Sequence, residues 1–328
     1  MKKPLYTTAI RESWQIVMEH KVLWIFGLFA TFLGQAGIGD LVYKFIILGF
    51  RNPIYIDTFF VPKGFVELFI LSAGLPLSMS KWFALFWLFL ILAGLLFFFV
   101  FVAVISQGAI IHSTAQKVNG KKVPDFDTAW HKGVKHAGRL FFINVLKKGL
   151  IVFITSLVTL SILILFGSTN VFTFVSFTLT LVLALIVGMV VSFLAVYAAG
   201  YVVVEEYSFL ESIVSAWKLF THHPLVSIEV GLIIMLFNFI LMLLGFLAIF
   251  LFFCIPLSVF WFLAVLTGVV SLKLVGIIFG GLISLTAIMT LGSIFTVFAT
   301  SVWTDLFMRM HKEGVKSRLV HFIDKIKN

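Results

Sequence analysis

The chain has 328 residues, of which 61% are hydrophobic and only 12% are charged. Its mean hydropathy of +1.15 excludes an ordinary soluble domain, in which about a quarter of the residues are charged. The net charge of +10 does not indicate a nucleic-acid partner, because Lys and Arg flank the apolar runs instead of forming one patch. The single cysteine, Cys254, excludes a disulfide within one chain.

Six apolar runs reach the length that a transmembrane helix needs, roughly 17 to 25 residues, and four of them exceed it. In chain order they are Val22–Ile38, Trp82–Ile111, Gly149–Phe166, Val171–Val204, Leu225–Cys254 and Leu274–Trp303. The first is expected to be an uncleaved span, since charged residues separate it from the N-terminus. The runs do not alternate in polarity as barrel strands do, so the sequence predicts an all-α, polytopic integral membrane helix bundle.

Two shorter apolar stretches, Phe65–Leu77 and Leu257–Ser271, complicate this assignment. Pro256 and Lys273 bracket the second stretch, and each stretch is too short to span comfortably. If the second crossed the membrane alone, the basic C-terminal tail would move outside, against the charge rule. Both are therefore predicted to be interfacial or re-entrant segments on the outer face.

The distribution of Lys and Arg predicts the orientation, because positively charged loops stay in the cytoplasm. Of the 24 Lys and Arg residues, one side of the predicted spans holds only Lys44, Arg51, Lys63, Lys81 and Lys273. The other side holds the N-terminus, the Ser113–Lys148 and Glu205–Pro224 segments and the C-terminal tail. This predicts a multi-pass protein of the cell membrane with both termini in the cytoplasm and a basic inner face against anionic lipid.

A short pattern recurs before the first, third and fifth predicted spans. A small residue precedes Trp, and His follows six residues later: Trp14 with His20, Trp130 with His136, and Trp217 with His223. Only eight His residues occur in the chain, so three matches at one spacing indicate an internal repeat. The predicted repeats cover roughly 5–112, 113–204 and 205–310, followed by a basic tail at 311–328.

Each repeat is predicted to be an amphipathic helix on the inner membrane face, a turn, and a transmembrane hairpin. Trp suits the interface because its ring is apolar while its N–H requires a polar partner. The His residues are predicted to lie at the helix ends, near unpaired carbonyls. Metal binding by them is the weaker hypothesis, since no ligand spacing or carboxylate completes a site, and no cofactor is expected.

The three hairpins, each led by a small-residue–Trp helix, resemble a broad group of prokaryotic six-span membrane proteins. That group includes the membrane domain found beside some glycerophosphoryl diester phosphodiesterases. The segment 119–130, which reads NGKKVPDFDTAW, is similar to the linker before the second repeat in those proteins. In the phosphodiesterases a separate soluble domain carries catalysis, so the resemblance implies no hydrolase activity and no functional residue here.

Four polar residues within or near the spans are candidate functional residues, since polar groups in a membrane are costly. They are Glu229, Asn238, Gln107 and Asn144. Glu229 lies about one turn after Pro224, and Asn238 is predicted to lie on the opposite face of that helix. Gln107 and Asn144 lie near the inner ends of their spans, where they could line a shared vestibule. Structural hydrogen bonding is the simpler interpretation of all four.

Gly276 and Gly280 form a small-xxx-small pair in the last span. Such a pair indicates close packing against another helix, because absent side chains let backbones approach. The partner helix belongs either to this chain or to a second copy.

No hydrolase elbow, zinc-protease motif, phosphate-binding loop or dinucleotide fingerprint is present in the sequence. The favoured function is a non-enzymatic scaffold or accessory envelope factor, with a membrane-protein partner or a second copy as possible partners. A transporter or permease for a small solute or lipid is the alternative, weakened because the repeats are parallel, not inverted. An intramembrane enzyme that acts on lipid, using Glu229, His112 and His223, is the third class.

Overall fold

The computed structural model describes residues 5–33, 79–167 and 170–313. These residues form nine α-helices and no strand. The helices are α1 (Leu5–Glu19), α2 (Val22–Ala30), α3 (Met79–Val118), α4 (Phe126–Gly167), α5 (Val171–Val204), α6 (Phe209–His222), α7 (Pro224–Ile249), α8 (Ile255–Thr267) and α9 (Ser271–Glu313). A 3₁₀ turn, Thr31–Leu33, extends α2, and a π-helical turn, Phe250–Cys254, joins α7 to α8.

Five helical stretches of the described residues are long and apolar enough to cross a membrane. They are Phe86–Val118, Phe126–Gly167, Val171–Val204, Pro224–Thr267 and Ser271–His311. They indicate a multi-pass helical membrane protein, as the sequence predicts. Of the first predicted span, Val22–Ile38, the structure describes α2 and its 3₁₀ turn as far as Leu33. Residues 34–38 and the predicted segment Phe65–Leu77 lie outside the described residues.

Leu257–Ser271 is not the separate interfacial or re-entrant segment that the sequence predicts. Residues up to Thr267 continue the helix that begins at Pro224, and α8 packs along α9. The helix passes Pro256 because it widens just before it: the N–H of Ile255 donates to the carbonyl of Phe250, five residues back. Such a π turn accommodates the missing N–H and the ring of proline. The helix ends at Gly268, which has a φ of +71°.

The turn predicted at His136 is also absent. Helix α4 runs unbroken from Phe126 to Gly167, whereas the chain breaks between α1 and α2 and between α6 and α7. Pro224 explains the second break, since it lacks an N–H and favours the first turn of a new helix. No proline follows His136, and buried Ala137 and Leu140 continue the packed face of α4. The predicted amphipathic helix and the predicted span are therefore one helix, α4.

The described chain divides into two compact units. The first comprises residues 5–33, 102–147 and 191–313, and its centre is α9, on which α1, α2, α7 and α8 pack. The core is formed by small and aromatic side chains of α3, α5 and α9, such as Ala103, Ala109, Tyr197, Val202 and Phe307. Most of the buried polar side chains also lie in this unit.

The second unit comprises residues 79–101, 148–167 and 170–190. Its core is a line of residues on α4 that meets α5: Ile154, Val158, Ile162 and Ala184, with Phe177 and Leu181 against them. The spacing of four residues on α4 places its three members on one face of the helix. The α3 residues of this unit are mostly exposed aromatic and aliphatic side chains, as expected for a surface that faces lipid.

Candidate functional site

Gln107 and Asn144 form a buried hydrogen bond between α3 and α4. The Asn144 Nδ2 donates to Gln107 Oε1 at 2.7 Å and to the carbonyl of Leu140 at 2.9 Å. Both side chains are over nine-tenths buried. The sequence placed these two residues at adjacent span ends, and the structure brings them into contact. Their amides satisfy each other in an apolar core, where an unpaired amide is costly.

Two glycines allow this contact. A methyl group on Gly108 would lie 3.2 Å from the Cα of Gly133, and one on Gly133 would lie 3.0 Å from Ile105 Cγ2 and closer still to the Ile105 carbonyl oxygen. Helices α3 and α4 therefore cross with backbone against backbone. Sequence reasoning did not single out Gly133, although its place one turn after Trp130 could have indicated a close crossing.

A stripe of hydroxyl side chains on α9 faces the core of the first unit. It comprises Ser293, Thr296, Thr300, Ser301 and Thr304, all at least nine-tenths buried. Their hydrogen bonds tie α9 to other helices: Thr31 to Thr296 at 2.9 Å, Thr114 to Ser301 at 2.9 Å, and the Ser293 hydroxyl to the Trp24 carbonyl. The sequence analysis did not predict this stripe, although Ser or Thr recurs there at intervals of mostly three or four residues, as on one face of a helix.

The space beside these polar groups is small. A cavity of about 10 Å³ is lined by α3, α5 and α9, with Gln107, Thr300 and Thr304 as its polar residues and Gly200 and Phe307 among the others. That is about the volume of one water molecule. This cavity therefore has room for about one water molecule beside its polar side chains.

A charged cluster joins α1 to the end of α9. The Arg309 guanidinium contacts the Asp305 carboxylate at 2.6 Å and the Glu12 carboxylate at 2.6 Å. The Asp305 side chain is completely buried, whereas that of Glu12 is 43% exposed. Burial of a carboxylate requires a close cation and further hydrogen bonds. Arg309 therefore holds α1 against α9 and compensates the charge of Asp305.

A second charged contact fastens the α5–α6 connection to α4. Lys135 pairs with the Glu206 carboxylate, and the Arg139 guanidinium donates to the carbonyls of Glu206 and Tyr207, each at 2.8 Å. Glu206 has a φ of +57°, which is uncommon for a residue other than glycine. The hydrogen bond from Lys135 lowers the pKa of Glu206 below its ordinary value. The Lys135–Glu206 ion pair is therefore present at neutral pH and is lost as the pH falls through the lowered pKa of Glu206.

Glu229 and Asn238 lie on α7 away from the Gln107–Asn144 pair. Glu229 is half-buried, next to the buried Val230. Asn238 lines a groove of about 210 Å³ between α7 and α9, together with Leu241, Met242, Gly245, Ile288, Leu291 and Gly292. Among the described residues that line the groove, Asn238 alone has a polar side chain, so the groove offers an apolar chain space but few polar contacts.

In all three segments of the predicted repeat, the small residue before Trp is buried. The residue before each Trp, namely Ser13, Ala129 and Ala216, is at most 1% exposed. Trp14 and Trp217 are about half exposed, whereas Trp130 stacks on Phe26 and Phe126 with ring centroids 6.5 and 6.2 Å apart.

The three His residues have different surroundings. His223 lies between α6 and α7, and His20 between α1 and α2, so both are at helix ends as predicted. His136 is fully buried inside α4, where it cannot act as a cap. Among the described residues, no three His, Cys, Asp or Glu side chains lie close enough together to hold a metal ion.

Gly276 and Gly280 face α8 and the π turn of the same chain. A methyl group on Gly276 would lie 2.7 Å from Phe260 Cβ, and one on Gly280 would lie 3.2 Å from the Phe253 carbonyl oxygen. The partner of this small-xxx-small pair is therefore intramolecular. Phe260 also packs edge-on against Phe279, with centroids 6.3 Å apart.

The hydrogen bond between Gln107 and Asn144 predicts energetic coupling. Replacing either residue by Leu should destabilise the protein, and the double variant should lose less than the sum of the single losses. The expected coupling is about 1 kcal/mol, within the range of hydrogen bonds between membrane helices. Thermal unfolding in mild detergent measures it. The control cycle pairs Gln107→Leu with Asn238→Leu, which should be additive; equal coupling in both cycles would contradict the assignment.

Comparison with known proteins identified no relative of this chain. No protein-family model, no curated protein and no solved structure matches the chain. The resemblance to the membrane domain of glycerophosphoryl diester phosphodiesterases thus stays a prediction from the sequence.

Proposed function

We propose that this chain is a non-enzymatic scaffold or accessory factor of the cytoplasmic membrane, with both termini in the cytoplasm. The charge distribution of the sequence supports this orientation. The observation that carries the functional proposal is the pairing of polar side chains inside the first unit. Gln107 bonds to Asn144, Thr114 to Ser301 and Tyr197 to Ser227, at 2.7 to 2.9 Å.

This pairing bears on transport because a transported polar solute must exchange its water for hydrogen bonds from the protein. Side chains that already bond to each other are arranged to hold helices together. The cavity that Gln107 lines has a volume of only about 10 Å³. Their arrangement favours a fixed bundle whose exposed surfaces interact with lipid or with another membrane protein. Among the five apolar helices of the described residues, Pro224–Thr267 is the least buried, with 6% of its most apolar 18-residue stretch inside the protein.

A permease for a small solute or lipid is the alternative, and one observation favours it. The groove beside Asn238 has a volume of about 210 Å³ and lies between α7 and α9. A lipid chain could move along such a groove and meet the polar side chain of Asn238 there. Glu229 lies nine residues earlier on the same helix, and intramembrane carboxylates often serve transport.

Flux measurements separate the two functions. The purified chain is reconstituted into vesicles, and movement of protons, potassium, glycerol and a fluorescent phospholipid across the membrane is recorded. For a scaffold, every rate should equal that of protein-free vesicles. A higher rate that Glu229→Gln or Asn238→Leu abolishes, and that the lipid-facing control Thr178→Val preserves, would replace the scaffold by a permease. In cells, Glu229→Gln should leave both protein level and phenotype unchanged.

A further inference from the structure

Helix α6 carries three different surfaces around its axis. One is buried against the protein and comprises Ser212, Ala216 and Leu219. A second is exposed although apolar, and comprises Leu210, Val214 and Trp217, which are 71%, 53% and 51% exposed. The third is exposed and polar, and comprises Glu211, Lys218 and His222. A helix of a soluble protein needs only a buried and a polar surface, so the apolar exposed surface requires another explanation.

Helix α1 has the same three surfaces. Its buried residues are Ala9, Ser13, Ile16 and Val17, its exposed apolar residues are Trp14 and Met18, and its exposed polar residues are Arg11, Gln15 and Glu19. We set the Trp of each helix at 0° and count about 100° per residue around the axis. The exposed apolar residues then lie between about 0° and 60°, and the exposed polar residues between about 60° and 140°. The buried residues lie between about 200° and 300°. The order and the direction of rotation agree.

Lipid explains the exposed apolar edge of each helix. Helix α6 ends at His222 and the spanning helix α7 begins at Pro224, so α6 lies beside the point where the chain enters the bilayer. A Trp on each edge suits the level of the headgroups. Helices with an apolar edge and adjacent cations bind in this way along membrane surfaces.

The residue at the border between the apolar and polar edges is a cation in both helices. In α1 it is Arg11, three residues before Trp14, and in α6 it is Lys218, directly after Trp217. Both side chains are exposed, and neither forms an ion pair or a side-chain hydrogen bond within the described part of the chain. In α4, Asp127 lies three residues before Trp130, where α1 has Arg11, and Trp130 stacks on Phe26.

We infer that the apolar edges of α1 and α6 lie in the interfacial layer of the bilayer, and that Arg11 and Lys218 bind the phosphate groups of anionic phospholipid. This rests on the proposed function, which places a basic surface of the protein against anionic lipid. It adds the two helices and the two cations that make the contact, and it excludes α4, where Asp127 takes the place that Arg11 has in α1 and would repel a phosphate.

The position of the edges is tested by spin labels on single cysteines. In a Cys254→Ser background, which removes the only cysteine, Met18→Cys and Val214→Cys probe the apolar edges. Gln15→Cys and His222→Cys are the matched probes of the polar edges. In vesicles that contain phosphatidylglycerol, oxygen should relax the labels at 18 and 214 more than a nickel chelate does, and the reverse should hold at 15 and 222. Nickel access at 18 and 214, or immobilisation of both labels by a protein partner, would overturn the inference.

The two cations are tested by lipid titration. The full chain in mild detergent is titrated with phosphatidylglycerol, and binding is read from the rise in the unfolding midpoint. Arg11→Gln with Lys218→Gln should weaken binding about 5-fold for each cation removed. The control removes the same charge from the exposed turn after α3, by Lys121→Gln with Lys122→Gln, and should bind as the unaltered chain does.

Equal losses in the two double variants would show a diffuse attraction of charges and would overturn the assignment of Arg11 and Lys218. The flux experiment fails independently: transport with intact phosphatidylglycerol binding would end the scaffold proposal and leave this inference standing. Absence of transport, together with equal losses in the titration, would end this inference alone.

Discussion

Gly27→Ala is expected to destabilise the protein strongly, because the added methyl group would overlap backbone and side-chain atoms of α9. The new methyl would lie 2.6 Å from Val297 Cγ2 and 2.7 Å from Ser293 Oγ, and closer still to the Ser293 carbonyl oxygen. Backbone cannot move away as a side-chain end can, so α2 would have to separate from α9. Overpacking of this kind costs about 3 kcal/mol or more. A lower thermal-unfolding midpoint in detergent and faster proteolysis near α2 measure it.

The matched control is Gly281→Ala on α9. No atom lies within 4 Å of a methyl group at that position, so the variant should unfold at the same temperature as the unaltered chain or slightly above it, because Ala favours helix. Gly27→Leu should prevent α2 from packing on α9 altogether. A Gly27→Ala protein as stable as the control would mean that α2 does not contact α9 as described.

Arg309→Met should have the second largest effect. It removes the cation that contacts the completely buried Asp305 carboxylate at 2.6 Å, and the loss of one partner of a buried ion pair costs about 3–5 kcal/mol. Glu12→Gln should cost far less, because Glu12 is 43% exposed and water can solvate what remains. Denaturation in detergent, followed by circular dichroism, measures both losses.

Two further variants identify the cause of the Arg309→Met effect. Asp305→Asn in the Arg309→Met background should recover part of the stability, since it removes the charge that lost its partner. Lys117→Met breaks the exposed pair with Glu19, whose atoms are 3.4 Å apart, and should cost less than about 1 kcal/mol. If Lys117→Met and Arg309→Met are equally harmful, burial of Asp305 is not what makes Arg309 important.

The sequence alone predicts the helical fold well, because the surrounding lipid leaves a strong signal. Helix α5 has the predicted bounds, Val171–Val204, since its apolar run ends abruptly on both sides. The bounds of α4 could not be predicted in the same way. Its first 23 residues, from Phe126 to Lys148, include many polar residues, and they continue the same helix because one side packs on α3 through Gly133.

The candidate site was predictable in part. Gln107 and Asn144 could be selected because amides are rare in spans, but their contact depends on how α3 and α4 cross. The hydroxyl stripe of α9 was missed because Ser and Thr also bond to their own helix and are common in apolar helices. Asp305 and Arg309 are four residues apart and form a predictable pair. That Glu12 joins them, 297 residues away along the chain, is a fact of tertiary structure.

The continuous helix from Pro224 to Thr267 has 44 residues. At 1.5 Å per residue it is about 66 Å long, whereas the hydrocarbon layer is about 30 Å thick. The helix must therefore incline steeply, thicken the surrounding membrane or extend beyond it. Its residues remain mostly apolar as far as Thr267, so an end that emerges from the hydrocarbon would have to pack against another apolar surface. In a thinner membrane a longer part of the helix would emerge and need such packing.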